Sequence, residues 1–329
     1  MGREERKLKK HLQQRENTEL RKFAQKNKGT RDPRDPLPLT NCATGLVIAS
    51  GPRSCVVRLD GLDTRCRSQV DVAVGDRVRF SAEMNRVESV LPRATVLSRP
   101  DPHNPRIPLV IAANIDVVVN VVSLLSPPLR LGLIDRYLVA IERAGARPLI
   151  CVNKIDLLDR RDAFQPYLDM GVPVVFCSAA SNIGLDELRA ALAGKMSVLT
   201  GHSGVGKSSL LNALDPAQTA ATGDVGAVHK KGRHTTTSSR LYDMPDGGIV
   251  IDTPGIRELG LWDVSSADVR LYFHDFDQFA DECAFSDCSH THEPRCAVKA
   301  ALASGGLLQA RYDSYLRIMT STAAGAVPP

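Results

Sequence analysis

Between residues 42 and 92, apolar and polar positions alternate in short runs at 45–49, 54–59, 64–70, 76–82 and 85–91. This is the period-two pattern of half-buried strands. Turn residues Gly51-Pro52, Asp60-Gly61 and Gly75-Asp76 separate the runs. Five short strands in so small a space predict an all-β, OB-like barrel. Past residue 110 the pattern changes. Residues 115–122 are a near-continuous β-branched run, as a strand buried on both faces of a parallel sheet would be. Leu133, Tyr137, Leu138 and Ile141 recur at helical spacing, 147–152, 172–177, 196–200 and 249–252 read as strands, and 185–192 reads as a helix. Such alternation predicts a parallel sheet covered by helices. Two more helical patterns follow at 265–276, with Ser265 as cap, and at 307–319, with Leu308, Tyr312, Tyr315, Leu316 and Met319 facing inward.

Two proline-rich runs punctuate this order, Arg31-Asp32-Pro33-Arg34-Asp35-Pro36-Leu37-Pro38 and 99–108. They divide the 329 residues into a basic arm and linker (1–39), a barrel (40–98), a linker (99–109), an α/β domain (110–261) and a mostly helical domain (262–329). A chain of this length is expected to be multidomain.

Charge matters once it is located. Residues 1–34 hold twelve Lys or Arg against five Asp or Glu, a net of +7, so the rest of the +5 chain is near −2. The arm is either a solvated tail or a contact for nucleic-acid phosphate. The barrel adds Arg53, Arg58, Arg65, Arg67, Arg77 and Arg79, which also suit a strand's solvated face, and Phe80 is its single aromatic. No signal-like apolar core follows Met1, and no run approaches a membrane span, which predicts a cytoplasmic protein without membrane contact. No heptad stands out, so a monomer is expected.

Candidate chemistry centres on Gly201-His202-Ser203-Gly204-Val205-Gly206-Lys207-Ser208-Ser209. The stretch lies between a strand and a helix and fits G-x-x-x-x-G-K-[ST]. Backbone N–H groups there surround phosphate, Lys207 reaches the β and γ oxygens, and the Ser208 hydroxyl binds Mg²⁺. Asn153-Lys154-Ile155-Asp156 ends another strand. A carboxylate there can accept from guanine N1–H and the exocyclic amine, a pair adenine lacks. Ser178-Ala179-Ala180 ends the next strand, where a backbone N–H could reach guanine O6. Asp252-Thr253-Pro254-Gly255 places an Asp for water-mediated Mg²⁺ binding and a Gly255 N–H near the γ-phosphate.

These four motifs resemble the GTPase signature over residues 110–260, in a rearranged order. The guanine motif precedes the phosphate loop by about fifty residues, whereas it follows that loop in Ras-like proteins, so the domain reads as a circularly permuted P-loop GTPase. The permuted order carries the segment after Gly255 into the C-terminal region, where nucleotide state should be read. Within Gly232-Arg233-His234-Thr235-Thr236-Thr237, Thr236 is the first choice for the Mg²⁺ shell and Thr235 the second. Ile256 occupies the place of the water-orienting Gln, so intrinsic hydrolysis should be slow, with His234 the candidate to supply the missing group. His202 should face solvent.

Cys283-x4-Cys288-x-His290-x5-Cys296 packs three thiols and an imidazole into fourteen residues, the ligand set of a closed structural Zn²⁺ site, with His292 an alternative to His290. The other five cysteines read as small buried hydrophobes.

With the barrel and the permuted domain, this cluster makes the chain resemble the bacterial RsgA family of small ribosomal subunit biogenesis GTPases over residues 40–320. The resemblance implies GTP hydrolysis stimulated by that subunit during its late maturation, release on hydrolysis, contacts with ribosomal RNA, and zinc on Cys283, Cys288, His290 and Cys296. Potassium-dependent GTPases carry Asn at the position of Gly204, so potassium activation is not expected. Two other classes compete: an RNA-binding assembly module that uses GTP as a binding switch, and an ATPase, which the guanine motif disfavours.

Overall fold

A computed structural model describes residues 42–101, 104, 108–214, 240–252, 261 and 264–323. Strands β1 (Ala43–Gly51), β2 (Ser54–Leu59), β3 (Leu62–Ser68), β4 (Arg77–Ser81) and β5 (Arg86–Val90) close a barrel in the order β1-β2-β3-β5-β4. β1 pairs antiparallel with both β2 and β4, and β3 runs parallel to β5. Alternate residues fill the interior, with Val47, Cys55, Val57, Cys66, Val78, Phe80 and Val87 buried. The expected five-stranded barrel is present.

The proline-rich stretch 99–109, read from sequence as a linker, has both ends in strands. β6 (Val96–Pro100) pairs antiparallel with β7 (Pro108–Ala113). Leu97 and Ala112 are fully buried in the core of the α/β region, and this burial outweighs the prolines, of which Pro100 and Pro108 pair at the loop end of the hairpin.

The α/β region contains β8 (Val117–Ser123), α1 (Leu131–Arg143), β9 (Arg147–Asn153), a 3₁₀ turn (Arg161–Phe164), α2 (Gln165–Asp169), β10 (Val174–Phe176), α3 (Leu185–Leu192), β11 (Met196–Thr200), α4 (Lys207–Leu214), β12 (Arg240–Asp243) and β13 (Ile249–Asp252). The sheet order is β10-β9-β8-β11-β13-β12, parallel except for β12. β8 is rich in valine because both its faces are covered, with Asn120 and Ser123 its two polar residues. Val117, Val119 and Val121 pack with Leu188 and Leu210 on one side, and Val118 with Tyr137 and Ile141 on the other.

In the C-terminal region, residues 265–276 are not an α-helix. They form 3₁₀ segments Ser266–Tyr272 and His274–Phe276, leading into α5 (Asp277–Ala280). Phe273 and Phe276 are drawn into the core, where they meet Tyr315 at ring distances of 5.2 Å, and the tighter turn puts both rings inside. α6 (Ala297–Ala303) and α7 (Gln309–Ala323) complete the described chain. The inward face of α7 differs from its predicted one. Leu308 lies before the helix and is 50% exposed, while Leu307, Arg311, Tyr312, Tyr315 and Ile318 are buried.

One hydrophobic core runs from Val118 and Ile141 in the α/β region through Phe273 and Phe276 to Cys288, Cys296 and Tyr315. Three ion pairs accompany it, two at the edge of this core and one between the barrel and β12. Arg311 reaches Asp135 of α1 at 2.6 Å and Asp275 at 2.7 Å, and Tyr167 donates to Asp135 at 3.1 Å. Arg58 of the barrel reaches Asp243 of β12 at 2.6 Å. Among the described residues, no helix is long and apolar enough to cross a membrane.

Candidate functional site: a phosphate loop and guanine motif at one sheet edge

The predicted motifs converge at the carboxyl ends of adjacent parallel strands, where open α/β sheets bind ligands. β9 ends in Asn153, Ser178 lies two residues beyond β10, Gly201 follows β11, and Asp252 ends β13. Ile251 pairs with Val198, which sets Asp252, exposed, at the same edge as Gly201.

The phosphate loop turns only because of its glycines. Gly201, Gly204 and Gly206 have φ of 132°, 86° and 94°. A Cβ on Gly201 would collide with the Val121 carbonyl, and one on Gly206 with the Asn153 amide. Val205 is buried beneath the loop, while Ser203, Ser208 and Ser209 are exposed. Ser208 and Ser209 open α4 beside its N–H groups. Lys207 Nζ donates to the carbonyls of Gly201 at 2.6 Å and His202 at 2.8 Å, so the ammonium lies over the loop. His202 is exposed, and its Nδ1 lies 3.0 Å from the neighbouring Ser203 carbonyl.

Asn153, 1% exposed, joins three segments. Its Nδ2 donates to the Val205 carbonyl at 2.9 Å, and its Oδ1 accepts from the Ala179 N–H at 3.1 Å. The side chain therefore ties the phosphate loop to the loop after β10. Lys154, at φ 66°, adds a second tie, with Nζ on the carbonyls of Gly204 and Ser126 at 2.6 and 2.7 Å. Asp156 is exposed, and Ser178 Oγ donates to its Oδ1 at 2.5 Å, which orients the carboxylate. Ser178, fully buried, is itself fixed by hydrogen bonds exchanged with Ile183. His234, Thr235, Thr236 and Gly255 lie outside the described residues.

The second cluster is compact. The ligand atoms of Cys283, Cys288, His290 and Cys296 all lie within 4.8 Å of one another. Tetrahedral bonds of about 2.3 Å to sulfur and about 2.05 Å to nitrogen require edges of about 3.8 Å between sulfurs and about 3.6 Å from sulfur to nitrogen. Cys283 and Cys296 sulfurs are 3.9 Å apart, and His290 Nδ1 lies 3.6 and 3.5 Å from them. The residues fit a metal ion. His290, not His292, faces the cluster. The His292 side chain is 85% exposed and bonds Thr291. Burial holds the His290 imidazole below its ordinary pKa, in the neutral form that ligates, and pushes the Cys288 thiol up to about 12, a cost that a dication offsets by binding thiolate. Tyr312 and Tyr315 donate to the carbonyls of His290 and Ser289 at 2.7 and 2.6 Å, and Glu293 accepts from the Ser289 and Thr291 N–H groups.

Sequence reasoning missed Asp135, Asp275, Arg311 and Glu293. The one available signal was Arg311, a charge on the inward stripe of α7 four residues after Leu307 and before Tyr315.

The comparisons with known proteins agree with this arrangement. The family model described as RsgA GTPase matches residues 90–262. The chain belongs to the RsgA GTPase family. The small ribosomal subunit biogenesis GTPase RsgA of Dickeya dadantii is 42% identical over 309 residues, covering 88% of this chain and 87% of the relative. The protein of the same name from Pseudomonas aeruginosa is 42% identical, covering 84% and 85%. Among solved structures, YjeQ from Thermotoga maritima superposes with a TM-score of 0.70 at 30% identity, covering 87% of this chain and 99% of that one. YloQ, described as a circularly permuted GTPase, gives 0.68 at 28% identity, with 91% and 100% covered. Membership makes the protein a GTP hydrolase, and its motif order is the permuted one.

Proposed function

We propose that this RsgA-family protein hydrolyses GTP to GDP and phosphate as a timer in late maturation of the small ribosomal subunit, which stimulates it. The observation that carries the site assignment is Asn153, whose amide joins the phosphate loop and the loop after β10 beside the oriented Asp156 carboxylate. In this reading Asp156 accepts from the guanine edge, the Ala179 region supplies a backbone donor, and Asn153 and Lys154 hold the loops in register. The backbone from Gly201 to Gly206 and Lys207 surround the β and γ phosphates. Ser208, Thr236 and Asp252 form the Mg²⁺ shell, Gly255 senses the γ-phosphate, and His234 orients the attacking water. Because in-line phosphoryl transfer needs positioning more than covalent chemistry, a missing water-orienting group leaves turnover slow until the subunit completes the site.

The metal of the Cys283, Cys288, His290 and Cys296 cluster is a structural zinc, since all four positions come from the protein and none remains for substrate. The basic arm and the arginines of the barrel meet ribosomal RNA, and the protein acts in the cytoplasm as a monomer. The relatives' name supports the choice of partner.

Single-turnover hydrolysis of GTP, with and without purified small subunits, tests the reading. Turnover should rise at least tenfold with subunits and vanish in Lys207→Ala. Equal rates with and without subunits would favour a binding switch in which turnover is incidental.

A further inference from the structure

Cys151 and Cys177 sit in the last residues before the two loops that hold the guanine side of the site. Cys151 is two residues before Asn153 on β9, and Cys177 is one before Ser178 at the end of β10. Both are free thiols with no exposed surface. Their sulfurs face each other at 3.3 Å, and the Cys177 sulfur also lies 3.9 Å from Asn153 Oδ1, the atom that accepts from Ala179. The pair is close enough to be joined by a small movement. A disulfide needs the sulfurs at about 2.05 Å, so closure moves the two sulfurs together by about an ångström beside the Asn153 amide. A displacement of that size at a positioning group can cost about a hundredfold in function.

We propose that Cys151 and Cys177 form an oxidation site, in which a peroxide joins them as a disulfide and thereby weakens guanine-nucleotide binding. The balance is simple. The thiolate of one cysteine attacks a peroxide oxygen, the O–O bond breaks, and a sulfenic acid and water form. The second sulfur then attacks the first, the S–O bond breaks, and another water leaves, so two thiols lose two electrons and hydrogen peroxide becomes two waters.

Nucleotide occupancy gates the reaction. With the strand ends closed, the hydrogen bond with Cys177 and burial hold the Cys151 thiol well above its ordinary pKa, and the closed pair is inert. Oxidation needs local opening at the ends of β9 and β10. Bound nucleotide opposes that opening because it binds the closed form. The thiols of the metal cluster react independently and do not touch this pair.

The inference rests on the assignment of Asp156 and Asn153 to the guanine side. Asp156→Asn in reducing buffer tests that assignment separately, since unchanged GTP binding there would sink the assignment and leave the disulfide itself standing. For the pair, full-length protein is treated with hydrogen peroxide, with and without GDP, then digested without reduction for mass spectrometry, while GTP affinity is measured by titration. We expect a Cys151–Cys177 cross-linked peptide, at least fivefold less of it with GDP, and at least a tenfold loss of affinity that dithiothreitol reverses. Cys151→Ala keeps the metal-cluster cysteines and should keep its affinity after peroxide. Cys151→Val serves if the alanine variant does not fold. Absence of the cross-linked peptide, a cross-link without loss of affinity, or an equal loss in the variants would overturn the proposal.

Discussion

Asn153→Ala is the most informative single change, because the wild-type side chain holds two loops together. Truncation removes the acceptor for the Ala179 N–H and the donor for the Val205 carbonyl, bonded at 3.1 and 2.9 Å in a residue only 1% exposed. Each buried backbone group left unpaired costs about 1–3 kcal/mol, so the pair costs about 2–6 kcal/mol. Part of that loss appears as lower stability of the nucleotide-free protein, and part is charged to binding, because nucleotide must then fix both loops. At about 1.4 kcal/mol per decade, the low end charged wholly to binding corresponds to about a thirtyfold weaker complex, and the share that appears as lower stability reduces that factor. Titration with a fluorescent GTP analogue, paired with a melting curve, measures both parts. Asp156→Asn should behave differently. A carboxamide there replaces an acceptor with a donor facing the exocyclic amine, so it should erase the preference for GTP over ITP, which lacks that amine. Asn153→Ala should weaken both nucleotides while leaving their ratio nearly unchanged. Affinity within threefold of wild type, with an unchanged melting temperature, would refute the bridging role.

Three further outcomes follow from the C-terminal region. Arg311→Met leaves Asp135, 2% exposed, and Asp275 without their cation, and should destabilise the protein by about 3–5 kcal/mol in urea denaturation, with much of that regained when both aspartates are also made Asn. His274 lies between Asp277 at 3.2 Å and Glu142 at 2.5 Å, contacts that raise it from 6.5 to about 10. Its contribution is complete below about pH 6.5 and lost as pH rises through 10. Melting temperature should therefore fall more steeply between pH 7 and 10 in wild type than in His274→Gln, and parallel curves would remove the pair from the account. Cys296→Ser should release one equivalent of zinc on purification and lower the melting temperature, because Cys296 and Cys288 belong to the same buried core as Tyr315. A variant that keeps its zinc would show the cluster geometry to be misassigned.

Much of the architecture could be read in one dimension because it rests on local rules. Strand β2 runs Ser54–Leu59 as its alternation predicts, and the glycines of 201–206 mark a turn that no other residue can make against Val121 and Asn153. Motif order alone exposed the permutation. The cysteine spacing fixed a metal cluster, although choosing His290 over His292 by contact needed three dimensions, since both lie within the same short loop and only one ring faces the sulfurs.

Other features depend on partners far away in sequence. Residues 99–109 look like a linker by their prolines, yet burial of Leu97 and Ala112 makes their flanks strands. The turn at 265–276 is 3₁₀ because Phe273 and Phe276 must both reach Tyr315. Arg311 is tolerated on an inward face only because Asp135, 176 residues earlier, meets it there. The motif at 153–156 suggested guanine chemistry and the role of its carboxylate, but Asn153 as a brace between two loops came from the fold. A sequence displays the groups a site can use, whereas burial and hydrogen-bond partners decide which atoms remain free to use them.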